Sequence, residues 1–187
     1  MREEDDEKYC GLTDADIIRD MRQVYGADLD LERFSARKRQ LYFECASAGE
    51  MRAFPGAREL VAALRENRVP VALASSGSRE KILFNLSRAG LDHLFSVVVS
   101  GEDFRRGKPD PEIFLCAARR LGLDAPRCAV IEDSINGLKA ARAAGCAAVA
   151  VTNTFAASRL APFADLVVAS LAELTPARLG ALVGRRQ

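Results

Sequence analysis

From Phe54 onward this 187-residue chain alternates short apolar runs with amphipathic stretches, and no other feature narrows its fold so far. The apolar runs at 69–74, 96–99, 128–131, 147–151 and 165–168 are short and partly β-branched, so each is read as a strand. Between them, residues 78–89, 111–121, 135–144 and 176–183 carry a helical repeat. Residues 57–67 add an amphipathic helix after the Phe54-Pro55-Gly56 turn. Strands alternating with helices are joined by right-handed crossovers into a parallel sheet with helices on both faces. The expected class is α/β. Residues before Phe54 break the pattern. Thr13 opens a helix over 14–25 that stops at Gly26, and a second helix runs from about Asp30 to Ser47. Ile17, Ile18, Met21 and Val24 make one apolar face, and Leu31, Phe34, Leu41 and Cys45 another. Residues 1–53 are thus expected to form a small helical unit over one end of the sheet, with 54–187 as the α/β core. Arg185-Arg186-Gln187 reads as a frayed tail.

In open α/β sheets ligands bind beyond the carboxyl ends of the strands, so the residues just past each strand carry the functional signal. The run at 128–131 ends abruptly in Glu132-Asp133, and Ser134 caps the next helix. Two adjacent carboxylates there are either a solvated loop pair or ligands for a hard cation. Mg2+ takes one or two carboxylates with waters and phosphate oxygens. The strand at 69–74 runs into Ser75-Ser76-Gly77-Ser78, whose hydroxyls and N–H groups either cap a helix or hold a phosphate oxygen. After 96–99 comes Gly107-Lys108-Pro109-Asp110-Pro111, where two prolines stiffen the loop around Lys108. A lysine about 4 Å from an oxyanion contributes about 4 kcal/mol at an effective dielectric near 20. In the helical unit, Arg37, Lys38 and Arg39 are either a solvated face or the source of one cation, Lys38, aimed at substrate anions.

Composition removes several classes of function. A formal net charge of +1 argues against a nucleic-acid surface built on counterion release. No apolar run approaches the roughly 18–20 residues that span a bilayer, and no charged-then-apolar leader opens the sequence, so no membrane partner is expected. Five scattered cysteines without a C-x-x-C pair fit reduced thiols in a cytoplasmic protein. The lone His93 reads as a surface or packing residue.

Ala74-Ser75-Ser76, then Gly107-Lys108-Pro109-Asp110-Pro111-Glu112-Ile113-Phe114, then Val130-Ile131-Glu132-Asp133-Ser134 closely resemble three successive motifs of the haloacid dehalogenase superfamily. The likeness is to its capped phosphatases and β-phosphoglucomutase-like members, and it runs from Gly11 to about Thr154. The resemblance implies a Rossmann-like parallel sheet flanked by helices, with a partial helical cap. It implies a hydrolase of small phosphorylated metabolites that uses Mg2+. Ser75, with Ser76 and Gly77, would bind the phosphoryl group, and Lys108 would offset its charge. Glu132 and Asp133 would hold Mg2+ directly or through water. Gly11, Leu12 and Lys38 match the cap's inner surface. Cys10 and Asp14 stand where sugar-phosphate mutases of the group carry basic residues, which disfavours a mutase.

The family's first strand, ending in Asp-x-Asp-Gly-Thr or Asp-x-Asp-Gly-Val with its nucleophilic aspartate, has no counterpart here. Asp14-Ala15-Asp16 and Asp28-Leu29-Asp30 have the spacing but open helices. The chain is expected to begin inside the cap and to lack the central strand between those ending at Ser75 and Ile131. Losing one member of a catalytic unit costs roughly 10^4–10^6 in rate. Three readings remain: an N-terminally shortened phosphatase, a non-catalytic phosphoryl-ligand binder, or a truncated product. A gap in the sheet would also favour homo-oligomers. A dinucleotide-binding domain is disfavoured, since no G-x-G-x-x-G follows a strand. A receiver domain is disfavoured by the Lys108 loop and the leading helices.

Overall fold

The computed structural model describes residues 8–184. The acidic start and the Arg185-Arg186-Gln187 tail, expected to fray, lie outside the described residues. Two helices lead, α1 (Asp14–Tyr25) and α2 (Leu31–Ala48). Thr13 accepts from the Asp16 N–H at the start of α1, and Asp30 caps α2 through the Arg33 N–H. Gly26 ends α1 at φ +62°, a left-handed conformation that glycine adopts without steric cost. The α/β part follows as α3 (Ala57–Glu66), β1 (Ala72–Ala74), α4 (Arg79–Arg88), β2 (Val97–Val99), α5 (Glu112–Arg120), β3 (Ala129–Glu132), α6 (Ile135–Ala143), β4 (Ala147–Val151), α7 (Ala157–Leu160), β5 (Leu166–Val168) and α8 (Pro176–Gly184).

All strand pairs are parallel, but the strands form two ladders. Ala72 faces Val97 in the β1–β2 pair, while Ala129 faces Ala147 and Val149 faces Leu166 in the order β3-β4-β5. Alternate residues of β4 serve opposite faces, as the two-residue period of a strand dictates. Ala148 and Ala150 join Ile113, Phe114, Leu138 and Leu160 on one side; Val149 and Val151 join Leu60, Leu64, Val168 and Leu179 on the other. Helices therefore cover both faces. β4 is buried at all five residues, whereas β1 and β3 are only half-buried.

Three expectations change. The first strand is shorter than 69–74, because Pro70 has no N–H to give a ladder and the Val69 N–H is already bonded to Leu64. The apolar face of α1 is only partly used: Ile17 and Ile18 are buried, but Val24 is exposed. No residue of α2 is buried; Leu31 and Leu41 are exposed, and the helix is held instead by Tyr42 and Phe43 against α4. The Tyr42 hydroxyl donates to Asn85 at 2.6 Å, and the Phe43 and Phe84 rings meet edge-on at 5.0 Å.

Candidate active site

The residues after β1, β2 and β3 converge on Gly11. Its carbonyl accepts a hydrogen bond from the Ser76 hydroxyl at 2.9 Å. A Cβ placed on Gly11 would lie 3.0 Å from the Ser134 hydroxyl and 3.7 Å from the Lys108 chain, and φ here is +82°. Glycine alone tolerates both the dihedral and the approach. Asn136, in the first turn of α6, donates to the carbonyls of Lys8 and Cys10 and holds this segment down.

Lys108 lies at the centre. Its Nζ donates to both oxygens of Glu132, at 3.1 and 3.2 Å, with the side chains only 5% and 13% exposed. The same ammonium is 5.1 Å from the centre of the Phe114 ring. Ser134 donates to Glu132 while its own oxygen caps α6 through the Gly137 N–H. A Cβ on Gly137 would overlap the Glu132 carboxylate, so the first turn of α6 can approach β3 only with glycine there. Gly107 plays the same part toward the helical unit, since a Cβ there would overlap Asp16. The loop carrying Lys108 is anchored from below. Asp103 accepts from the Ser100 N–H and hydroxyl and pairs with Arg120, and these contacts pull its carboxyl down to about 2, the Arg120 hydrogen bond most of all.

Asp133 accepts from Thr154, beyond β4, at 2.5 Å. Ser75 turns its hydroxyl back to accept from the Gly77 N–H at 3.2 Å, and the Ser75 N–H bonds Val99. Lys38 pairs with Asp14 at 2.5 Å. Leu12 is half-buried, its N–H bonded to the Tyr9 carbonyl. Three of the four aspartates in the Asp-x-Asp pairs of the helical unit are engaged locally: Asp14 with Lys38, Asp16 with Thr13 and Arg19, and Asp30 in its cap.

Thr154, Ser134 as a partner of Glu132, Asn136 and Lys81 lie outside the candidate residues read from the sequence. Lys81 sits 3.8 Å over the Tyr42 ring, between Ser75's loop and α2. Burial pushes its ammonium down, Lys38 adds to that, and Asp14 opposes it. The Cys10 thiol is pushed up, first by burial and then by Asp133 and Glu132. Thr154 lies just past the end of β4 in Thr152-Asn153-Thr154, so extending the strand-end rule to that strand would find it.

Among the described residues no group of three or more His, Cys, Asp or Glu side chains gathers as a metal cluster. The adjacent carboxylates offer hard oxygen donors. That donor chemistry suits Mg2+, which keeps waters and substrate oxygens in its shell, and does not suit a thiolate or imidazole metal.

The haloacid dehalogenase-like hydrolase model matches residues 5–145. The chain belongs to that family. It is 35% identical over 168 residues to the bifunctional riboflavin kinase/FMN phosphatase of Arabidopsis thaliana, covering 89% of this chain and 44% of that protein. Over 134 residues it is 35% identical to hexitol phosphatase A of Escherichia coli, covering 72% of this chain and 61% of that one. The chain spans less than half the length of the first curated relatives it matches. A hydrolase structure from Entamoeba histolytica superposes with a TM-score of 0.85 at 22% identity, over 98% of this chain and 84% of that one; the likeness is one of fold.

Proposed function

We propose that this site binds the phosphoryl group of a small phosphorylated metabolite and belongs to a Mg2+-dependent phosphomonoester phosphatase. The observation that carries the reading is the buried Lys108 ammonium at the convergence of three strand ends, beside Gly11 and the Ser76 hydroxyl. In this reading Lys108 offsets phosphoryl charge, and Ser75 with the Ser76 and Gly77 backbone cradles the oxygens. Asp133, steadied by Thr154, and Glu132, steadied by Lys108 and Ser134, hold Mg2+, which when bound would neutralise charge on the phosphate. Lys38, Gly11 and Leu12 face substrate from the cap. Residues 1–53 act as a partial cap and 54–187 as the core; the Phe54-Pro55-Gly56 turn between them leaves Phe54 exposed. Five scattered cysteines without a C-x-x-C pair suit a reducing, cytoplasmic setting. No described helix is long and apolar enough to cross a membrane.

One observation favours a second reading. Among the described residues, Lys108 is paired with the Glu132 carboxylate, already held by two donors, and Asp14, Asp16 and Asp30 are engaged within the helical unit. A non-catalytic phosphoryl-ligand binder needs only what is present. Calorimetric titration with orthophosphate or tungstate, with and without Mg2+, tests the shared part: binding should require Mg2+ and be lost in Lys108→Ala. Turnover of p-nitrophenyl phosphate that Lys108→Ala abolishes selects the enzyme; binding without turnover selects the binder. Equal phosphate binding by the two proteins would remove both.

A further inference from the structure

We propose that Glu102 is a positioning residue: from the neighbouring loop it helps set the peptide planes of Ser75-Ser76-Gly77-Ser78, and so the direction in which that loop offers N–H groups to a phosphoryl oxygen. The proposal rests on the phosphoryl reading and deepens it.

The residues after β2 form a clamped turn. Ser100 is buried, its N–H and hydroxyl donate to Asp103 at 2.7 and 2.8 Å, and the Asp103 N–H returns to the Ser100 carbonyl at 3.0 Å. Arg120 pairs with Asp103 and also donates to the Val98 carbonyl, so α5 fastens the turn to its strand. Gly101 and Glu102, within that turn, meet the loop that follows β1. The Gly101 N–H donates to the Gly77 carbonyl at 2.9 Å, and the Glu102 carboxylate accepts from the Arg79 N–H at 3.1 Å. A Cβ on Gly101 would lie 2.6 Å from the Ser76 carbonyl oxygen, so only glycine permits the approach.

A peptide unit is planar and trans, so a held carbonyl also fixes the N–H that follows it, and a held N–H fixes the carbonyl before it. Gly101 thereby sets the plane between Gly77 and Ser78, and Glu102 the plane between Ser78 and Arg79. The Ser75 N–H on the Val99 carbonyl, at 2.9 Å, completes a row of three bonds from β2 and its turn to the loop after β1. The segment that carries Lys108 leaves from the same turn, so one clamp keeps the cation and the N–H groups in common register.

Two features separate this role from ordinary helix capping. α4 already has its N-cap in Ser78, whose hydroxyl accepts from the Lys81 N–H at 3.3 Å. A carboxylate near a phosphoryl group also repels it, so charge alone would favour almost any other residue at this position.

The test titrates the whole chain with orthophosphate in Mg2+ by calorimetry. It compares Glu102→Gln, which keeps an acceptor oxygen, with Glu102→Ala, which does not. Relief of repulsion alone would tighten binding in both variants by the same factor. Positioning splits them: binding should weaken at least about tenfold in Glu102→Ala and be restored in Glu102→Gln, with faster hydrogen exchange at 77–81 in the ligand-free alanine variant only. Equal affinities in the two variants would overturn the proposal. So would a lowered melting temperature in Glu102→Ala with phosphate binding intact, which would leave Glu102 a stabiliser of α4 and nothing more. A parent chain that binds no orthophosphate would overturn the phosphoryl reading instead. Exchange at 77–81 then decides for Glu102: faster in the alanine variant alone supports its hold on the loop, and equal rates in all three chains refute it.

Discussion

Removing Lys108 should cost more stability than its position on a loop suggests, and most of the loss should vanish when Glu132 is neutralised as well. Two unit charges at the observed 3.1 Å attract by about 5 kcal/mol at an effective dielectric near 20. Desolvation of both offsets much of that, so the intact pair adds little net stability. Breaking it is another matter. Lys108→Met leaves the Glu132 carboxylate, 13% exposed, with the Ser134 hydroxyl still donating to it but no cation beside it. An uncompensated buried charge of this kind costs roughly 3–5 kcal/mol. Glu132→Gln strands the ammonium against Phe114 and should cost about 2–4 kcal/mol by the same reasoning. The double variant places a thioether beside an amide that still meets Ser134, and should cost only about 1–2 kcal/mol. The coupling energy is then on the order of 3 kcal/mol or more. Urea unfolding of the four proteins in EDTA measures it. The work is best done near about 15 °C, where stability is maximal and the weakest variant stays folded. Losses that add to within about 0.5 kcal/mol would show that the two groups act independently and that the buried pair does not organise the site.

Gly137→Ala should displace the Glu132 carboxylate and lower stability by about 1–3 kcal/mol, read from urea melts, with Mg2+-dependent phosphate binding weakened more than in an Ala substitution at Gly180, where a Cβ meets open space. Thr154→Val removes the hydroxyl donated to Asp133; Mg2+ affinity by calorimetry should fall about tenfold with the melt unchanged. Acid sensitivity should trace to Asp103. Its carboxyl sits near 2 in the folded chain against about 3.9 unfolded, so the stability it contributes is present above about pH 4 and is lost as pH falls toward 2. Asp103→Asn should flatten the fall in melting temperature over that window, and an unchanged slope would locate the acid sensitivity elsewhere.

How far the sequence discloses this molecule depends on the range of each contact. Glu132-Asp133 stands out because an apolar run stops dead in charge, and Lys108 because prolines crowd its loop; both signals lie within a few residues. Parallel strands separated by helices are legible for the same reason, since each carries its own period. The partners of those residues are not local. Thr154 meets Asp133 across 21 positions and Ser76 meets Gly11 across 65, and no periodicity reports either. The face of α2 is misread from sequence because Leu31 and Leu41 share a side with little to bury against, while the aromatic pair that holds the helix lies elsewhere on it. The four-residue α7 and the single-turn helices at 125–127, 161–163 and 171–173 are too short to show a repeat.

Among the described residues the two ladders share no strand, which gives the molecule a mechanical seam. One block, β1 with β2, is gripped by α5; the other, β3 to β5, is gripped by α6 and α8; and α5 packed against α6 ties the two. Helix contacts slide far more readily than a hydrogen-bonded ladder shears, so breathing should follow this line. Ser76 and Lys108 ride on one side of it and Glu132 and Asp133 on the other, so each excursion changes the distance between anion-holding and cation-holding groups.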